Sequence, residues 1–261
     1  MTAGPLRDVL TLLAGLATGI MSGLFGVGGA VLSTPAVRAL GCSAALAVGT
    51  TLPSIFPGAA TGFARFRTQD LIAWDVVLRT VPTGAAASVA GALLAHVLPG
   101  DGHPLMILTA ALLLVSAVSL VRHDEHAAGA PTPAPPSHPG RRAAVAGAAA
   151  GLMSGLLGIG GGVIMVPIFR ARLGLSMRRA IATSLVCVGL LALPGTLTHA
   201  MNRDIDWRYA LWLSVGVVPG ARLGTALAMR TDERRLRIVF GWFLLVIAVY
   251  YGAREGLSLG S

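Results

Sequence analysis

Few side chains in this sequence can do chemistry, and most of those carry a hydroxyl. Thr50 and Thr51 stand in Ala47-Val-Gly-Thr-Thr-Leu52, and Thr183 and Ser184 in Ala180-Ile-Ala-Thr-Ser-Leu185. Hydroxyls inside an apolar run can donate to an oxyanion, or bond back to a carbonyl one turn earlier. Ser22 and Ser154 each stand just before a glycine run, Gly26-Val-Gly-Gly29 and Gly158-Ile-Gly-Gly-Gly162. They can line the same site or simply pack beside the glycines. The glycine runs offer another donor, the bare backbone amide. A helix starting at Ala30 or Val163 exposes first-turn amides that lack intrahelical partners and carry the positive end of the dipole. Two such ends meeting near mid-membrane would bind an anion without lysine or metal. A tight turn that only packs is the alternative.

Charged candidates are fewer. Arg222, in Pro219-Gly-Ala-Arg-Leu-Gly224, falls inside an apolar run, where a charge is costly and often functional. It stands about two turns from the end of that run, so it can also snorkel outward. Arg79 can snorkel or pair with Asp75. His96 and His199, near run ends, can relay protons or pack at the interface. Asp204 and Asp206 read as surface ion-pair partners of Arg203 and Arg208. The candidate binding set is therefore Gly26, Gly28, Gly29, Ala30, Thr50, Thr51, Gly158, Gly160, Gly161, Gly162, Thr183, Ser184 and Arg222.

Catalysis finds no support. A membrane serine protease of the rhomboid type needs Gly-x-Ser-Gly, but Ser22 follows Ile20-Met21 and Ser154 follows Leu152-Met153. No carboxylate pair falls within a run. All 20 basic residues are arginine, which removes a P-loop. Cys42 and Cys187 suggest buried packing, neither a disulfide framework nor a metal site. No catalytic residue, metal or cofactor is expected.

The elements that must position the candidates are apolar. Of 261 residues 54% are hydrophobic and 12% charged, about half the charge of a soluble domain. The runs cover roughly 6–25, 30–40, 43–63, 74–98 and 104–121, then 141–157, 163–173, 176–201, 207–229 and 236–253. Residues 123–140, rich in proline, read as a flexible linker. Gly19–Pro35 recurs as Gly151–Pro167 with ten of seventeen positions identical. Glycines spaced by four, at 15, 19, 23, at 147, 151, 155 and at 216, 220, 224, mark close helix packing. A duplicated, glycine-broken apolar segment in matching places points to a transporter's binding site.

Each broken pair of short runs is either one crossing or a hairpin returning to the side it entered. Arginines decide. With hairpins, one side collects Arg7, Arg38, Arg203, Arg208 and Arg254, and the other collects 13, with Arg79 and Arg222 inside spans. With single crossings the split is nine to nine. Cytoplasmic loops carry the excess of basic residues, so the hairpin is favoured. The expected fold is an all-α integral membrane protein of two inverted repeats, each a glycine-broken helical hairpin plus three transmembrane helices. Residues 1–121 and 141–261 are the repeats, and the linker 122–140 is cytoplasmic, with both termini outside.

Two copies of Gly-hydrophobic-x-x-Gly-x-hydrophobic-Gly-hydrophobic-Gly-Gly-Gly/Ala, each followed by Pro, resemble the TauE/SafE family of sulfite exporters, the TSUP transporters. Ala47–Leu52, Ala180–Leu185 and Pro219–Gly224 are similar to that family too, and the resemblance covers about residues 6–253. It implies a bacterial inner-membrane carrier with duplicated halves, moving sulfite, sulfonates or related organic anions. The first half departs at Ala30, which replaces the third glycine. Val81-Pro82-Thr-Gly-Ala-Ala is also a loose match to Val218-Pro219-Gly-Ala-Arg-Leu and lacks an arginine. Expected partners are a small anion and the lipid bilayer, with no nucleic acid; a homo-oligomer is compatible with this reading. The alternative keeps the fold as a membrane subunit docking a cytoplasmic sulfur-handling partner through its arginine-rich face, at Arg170, Arg172, Arg178, Arg179 and 234–237. The topology predicts that a reporter fused after Ser261 is active only outside the cytoplasm. Cytoplasmic activity there would contradict the hairpins.

Overall fold

A computed structural model describes residues 4–97, 103–122, 139–157 and 160–259. Over these residues the chain is all-helical, and Gly158, the linker histidines and the His96 side chain lie outside them. The first half gives α1 (Pro5–Phe25), α2 (Ala30–Ala39), α3 (Ala44–Arg67), α4 (Trp74–Val97) and α5 (His103–Arg122). The second gives α6 (Pro139–Leu157), α7 (Gly162–Leu173), α8 (Met177–Met201), α9 (Trp207–Arg230) and α10 (Glu233–Leu259). Four of them, α1, α4, α8 and α9, contain stretches long and apolar enough to cross a membrane. Exposed Leu13, Leu78, Val115, Leu197, Leu211 and Trp242 spread apolar surface over outward faces, as lipid contact requires.

Local signals repeat between the halves. Ser43 caps α3 by accepting from the Leu46 amide, and Ser176 caps α8 by accepting from the Arg179 amide. Left-handed backbone recurs at Gly28 and Gly160, Gly29 and Gly161, Gly41 and Gly174, and even at the non-glycine pair Asp70 and Arg203. One boundary differs from expectation. The second short helix begins at Gly162, not Val163, because the Gly161 carbonyl already accepts the first helical bond, from the Met165 amide at 3.1 Å.

Packing pairs the first helix of one half with the fourth of the other. A Cβ at Gly19 would press on the Val217 carbonyl, and one at Gly220 on the Leu16 carbonyl. Here α1 and α9 lie backbone on backbone, with Gly15, Gly19 and Gly23 following Leu213, Val217 and Ala221 in the same direction. Likewise α6 runs beside α4, Gly147 against Thr80, Gly151 against Gly84 and Gly155 against Ser88. Small residues allow this approach, and dispersion contacts accumulate along its length.

Helix directions follow from these registers. α3 runs with α9, since Gly49 meets Asp204 and Gly58 meets Val217. α8 runs against α3, since Gly62 meets Leu185 and Gly189 meets Ala59. α4 runs with α8, because Ala73 meets Thr183 and Gly84 meets Leu191. By these registers α1, α3 and α9 run one way and α4, α6 and α8 the other.

Both short helices fold back on the helix before them. The Leu40 carbonyl, just past α2, accepts from the Tyr209 hydroxyl at 3.2 Å, and Arg7 at the start of α1 lies over that tyrosine ring at 4.2 Å. At the other end the Arg142 guanidinium near the start of α6 donates to the Arg172 carbonyl in α7, at 3.1 Å. With ten residues, α2 is about 15 Å long, half a bilayer's hydrocarbon. Gly151→Leu has no space beside the Gly84 carbonyl. It is expected to lower stability in detergent by at least ~3 kcal/mol, whereas Gly252→Ala, with open space around it, should be near neutral. Thermal unfolding of the two variants checks this.

Candidate functional site

The two glycine turns meet in the middle of the bundle. Gly26 closes α1 in left-handed conformation, its N–H donating to the Ser22 carbonyl at 2.8 Å. Gly28 and Gly29 follow at φ 76° and 80°, a region L side chains rarely adopt, and α2 starts at Ala30. In the second half Gly160 and Gly161 have φ 80° and 65° before α7. The turns touch through backbone: a Cβ on Gly160 would lie 2.9 Å from the Val27 carbonyl oxygen. A Cβ on Gly162 would press on Gly26 and Val27.

Side chains around the turns come from the middles of α3 and α8. Ile55 and Val188, both buried, correspond between the halves, and each flanks Gly28 and Gly160. The Ser184 hydroxyl donates to the Gly26 carbonyl at 2.9 Å, holding the first turn to α8. The first-turn amides are then the donors left over. In α2 the Leu32 and Ser33 amides reach back to the Gly29 carbonyl. Ala30 and Val31 find no backbone acceptor among the described residues. In α7 Ile164 and Met165 reach the Gly161 carbonyl, leaving Val163. Such amides, in an apolar surround, favour a negative charge.

The structure brings together Gly26, Gly28, Gly29, Ala30, Gly160, Gly161, Gly162 and Ser184. It gives several other candidates different work. Thr50 accepts from the Asp206 amide at 2.9 Å, and Thr183 from the Ala73 amide at 3.0 Å. Each hydroxyl thus secures the backbone just before α9 or α4, a buried N–H that needs an acceptor. Neither was expected as an acceptor, and neither hydroxyl bonds to a glycine turn among the described residues. Thr51 donates to the Val48 carbonyl at 3.0 Å and lies 3.2 Å from the Thr34 hydroxyl on α2. Arg222 is exposed on α9 beside exposed Leu223, while buried Ala221 and Gly224 face α1. It does not reach the turns, and of its two expected roles snorkelling fits the position.

The Pro82 and Pro219 stretches do not correspond as their sequences suggested. Packing matches Gly84 with Val217, which places Arg222 opposite Val89. Asp204 and Asp206 also take contacts beyond the expected pairing with nearby arginines. Asp204 pairs with buried His199 at 3.3 Å, Asp206 caps α9, and Arg208 makes a two-point bridge to Asp8 at 2.6 and 3.1 Å. Cys42 and Cys187 are free, and burial raises the Cys42 thiol pKa, which keeps it unreactive.

Sequence reasoning missed two features. Thr18 sits against Gly29 but precedes the repeated motif, and its counterpart is Ala150. The Ile55–Val188 pair carried no signal, since a buried aliphatic residue looks the same everywhere in an apolar run.

The sequence is similar to several proteins described as probable membrane transporters. A probable membrane transporter protein of Xylella fastidiosa strain 9a5c is 27% identical over 96% of this chain and 97% of its own. The probable membrane transporter YjnA of Bacillus subtilis is 27% identical over 92% and 97%. A probable membrane transporter of Methanocaldococcus jannaschii is 23% identical over 92% and 94%. No solved structure gives a significant match. With the family model for Sulfite exporter TauE/SafE matching residues 11–251, the chain belongs to that family of membrane transporters.

Proposed function

We propose that the protein is a carrier exporting a small oxyanion, sulfite or an organosulfonate, across a bacterial inner membrane. The observation that carries this reading is the contact of two glycine turns, each opening a helix with first-turn amides left without a backbone acceptor, Ala30 and Val31 in α2 and Val163 in α7. Two positive dipole ends directed at one buried place suit a single small anion. The family's description as sulfite exporters supports the cargo class.

In this reading residues 1–121 and 141–261 are inverted repeats, supported by the opposed directions of corresponding helices. Inversion makes the two faces of the membrane near-equivalent, so movement of one repeat against the other exposes the turns alternately. The arginine-rich end, where Arg142 and Arg178 donate to the Arg172 and Thr231 carbonyls, faces the cytoplasm.

Purified protein in liposomes should take up sulfite, with uptake competed by sulfonates and little by chloride. Gly28→Leu and Gly160→Leu should each lower uptake at least ~100-fold, since the new side chain occupies the turn and left-handed φ adds strain. Full uptake in both variants would remove the turns from the transport path. Uptake that appears only with an added cytoplasmic protein would favour the docking role.

A further inference from the structure

Two hydroxyls beside the first turn are buried and unpaired among the described residues. Thr18 and Ser22, one turn apart on α1, are each 1% exposed, and neither side-chain oxygen finds a hydrogen-bond partner among those residues. A buried, unpaired hydroxyl costs stability, so native chains rarely keep one without reason. Thr and Ser in helices commonly bond back to the preceding turn, as Thr11 does to Arg7 at 2.8 Å and Thr225 to Ala221 at 2.8 Å. Thr18 and Ser22 do not.

Their placement ties them to the start of α2. A Cβ on Gly29 would meet the Thr18 Cγ2 methyl and carbonyl, with the hydroxyl on the same Cβ, and would lie 3.4 Å from the Ser22 Cβ. The Ser22 oxygen lies 3.9 Å from where a Gly58 Cβ would be. Ser22 therefore sits between two positions without side chains, Gly29 on the turn and Gly58 on α3. The second half keeps only part of this arrangement: Ser154 corresponds to Ser22 and is buried too, but Gly161 packs on Ala150, the counterpart of Thr18, which has no hydroxyl.

We infer that the cargo seat is one-sided: the anion binds at the N-terminus of α2, with the Thr18 and Ser22 hydroxyls donating to its oxygens beside the Ala30 and Val31 amides. The turn before α7 is then the packing counterpart. This rests on the anion-carrier reading and assigns the seat within it. The ligand class is an oxyanion with at least two acceptor oxygens, as in sulfite or a sulfonate. A halide would gain less from two separate hydroxyls and two amides.

The test uses full-length protein with sulfite as the probe. Thr18→Val and Ser22→Ala each delete an unpaired buried hydroxyl, so each should raise the melting temperature without sulfite. Each should also raise the KM for sulfite about tenfold, the loss expected for one hydrogen bond to a charged group, and shrink the sulfite-induced rise in melting temperature. Thr18→Ser keeps the donor and should stay within about twofold of wild type. A merely structural role predicts the reverse, a lowered melting temperature with KM unmoved, and that result overturns the inference. If wild-type protein transports sulfite while both deletions leave KM unchanged, the one-sided seat fails and the carrier reading stands. If wild-type protein carries no anion at all, the carrier reading fails and takes this inference with it.

Discussion

Backbone buried in an apolar medium must find partners, and helix ends are where it most often lacks them. This chain places two helix starts together at its centre, far from either surface. The arrangement exists because glycine removes the side chains that would hold the turns apart. Val27 and Gly26 lie directly against Gly160 and Gly162, and Ile55 and Val188 close on both turns from the sides. Everything outward of this contact serves to hold it. The backbone-on-backbone seams α1–α9 and α4–α6 fix the long helices, and α3 and α8 cross between them. The cost of leaving amides unpaired is thereby met by the whole bundle.

The scaffold is close to two-fold, but its chemistry is not. The turn before α4 closes with the Leu71 amide on the Phe66 carbonyl, at 3.4 Å. The matching turn before α9 closes with the Asp204 amide on the His199 carbonyl, at 2.9 Å. An apolar pair at one end of the molecule thus corresponds to an ionisable pair at the other. Thr18 where the other half has Ala150, and Arg222 where the other half has Val89, break the symmetry in the same manner. Backbone geometry follows the duplication, while side chains record where the two halves took on different work.

Much of this was legible from the residues. All ten helices lie where the apolar runs place them, because an apolar run of that length in a membrane has little alternative to a helix. The hairpins were legible from arginine placement, and the glycine stripes from their spacing of four. The site was legible only at its backbone. Gly28, Gly29, Gly160 and Gly161 announce left-handed turns by type alone. Hydroxyls announce nothing so definite: Thr50 and Thr183 could donate to an anion or bond back one turn, and the structure shows them accepting from loop amides, since a threonine oxygen accepts as readily as it donates. Thr18 went unnoticed because its importance lies in what it touches across the turn. Arg222 drew attention as a charge within a span, but only its helix face shows that it points outward.

The central claim is that bare amides at the start of α2 hold the cargo. Selenite is a heavier analogue of sulfite and scatters X-rays anomalously. A crystal structure of the protein with selenite should show one anomalous peak beside the start of α2, placed so that a selenite oxygen accepts from the Ala30 or Val31 amide. A saturated crystal with its peak elsewhere, or with none inside the bundle, would contradict the account.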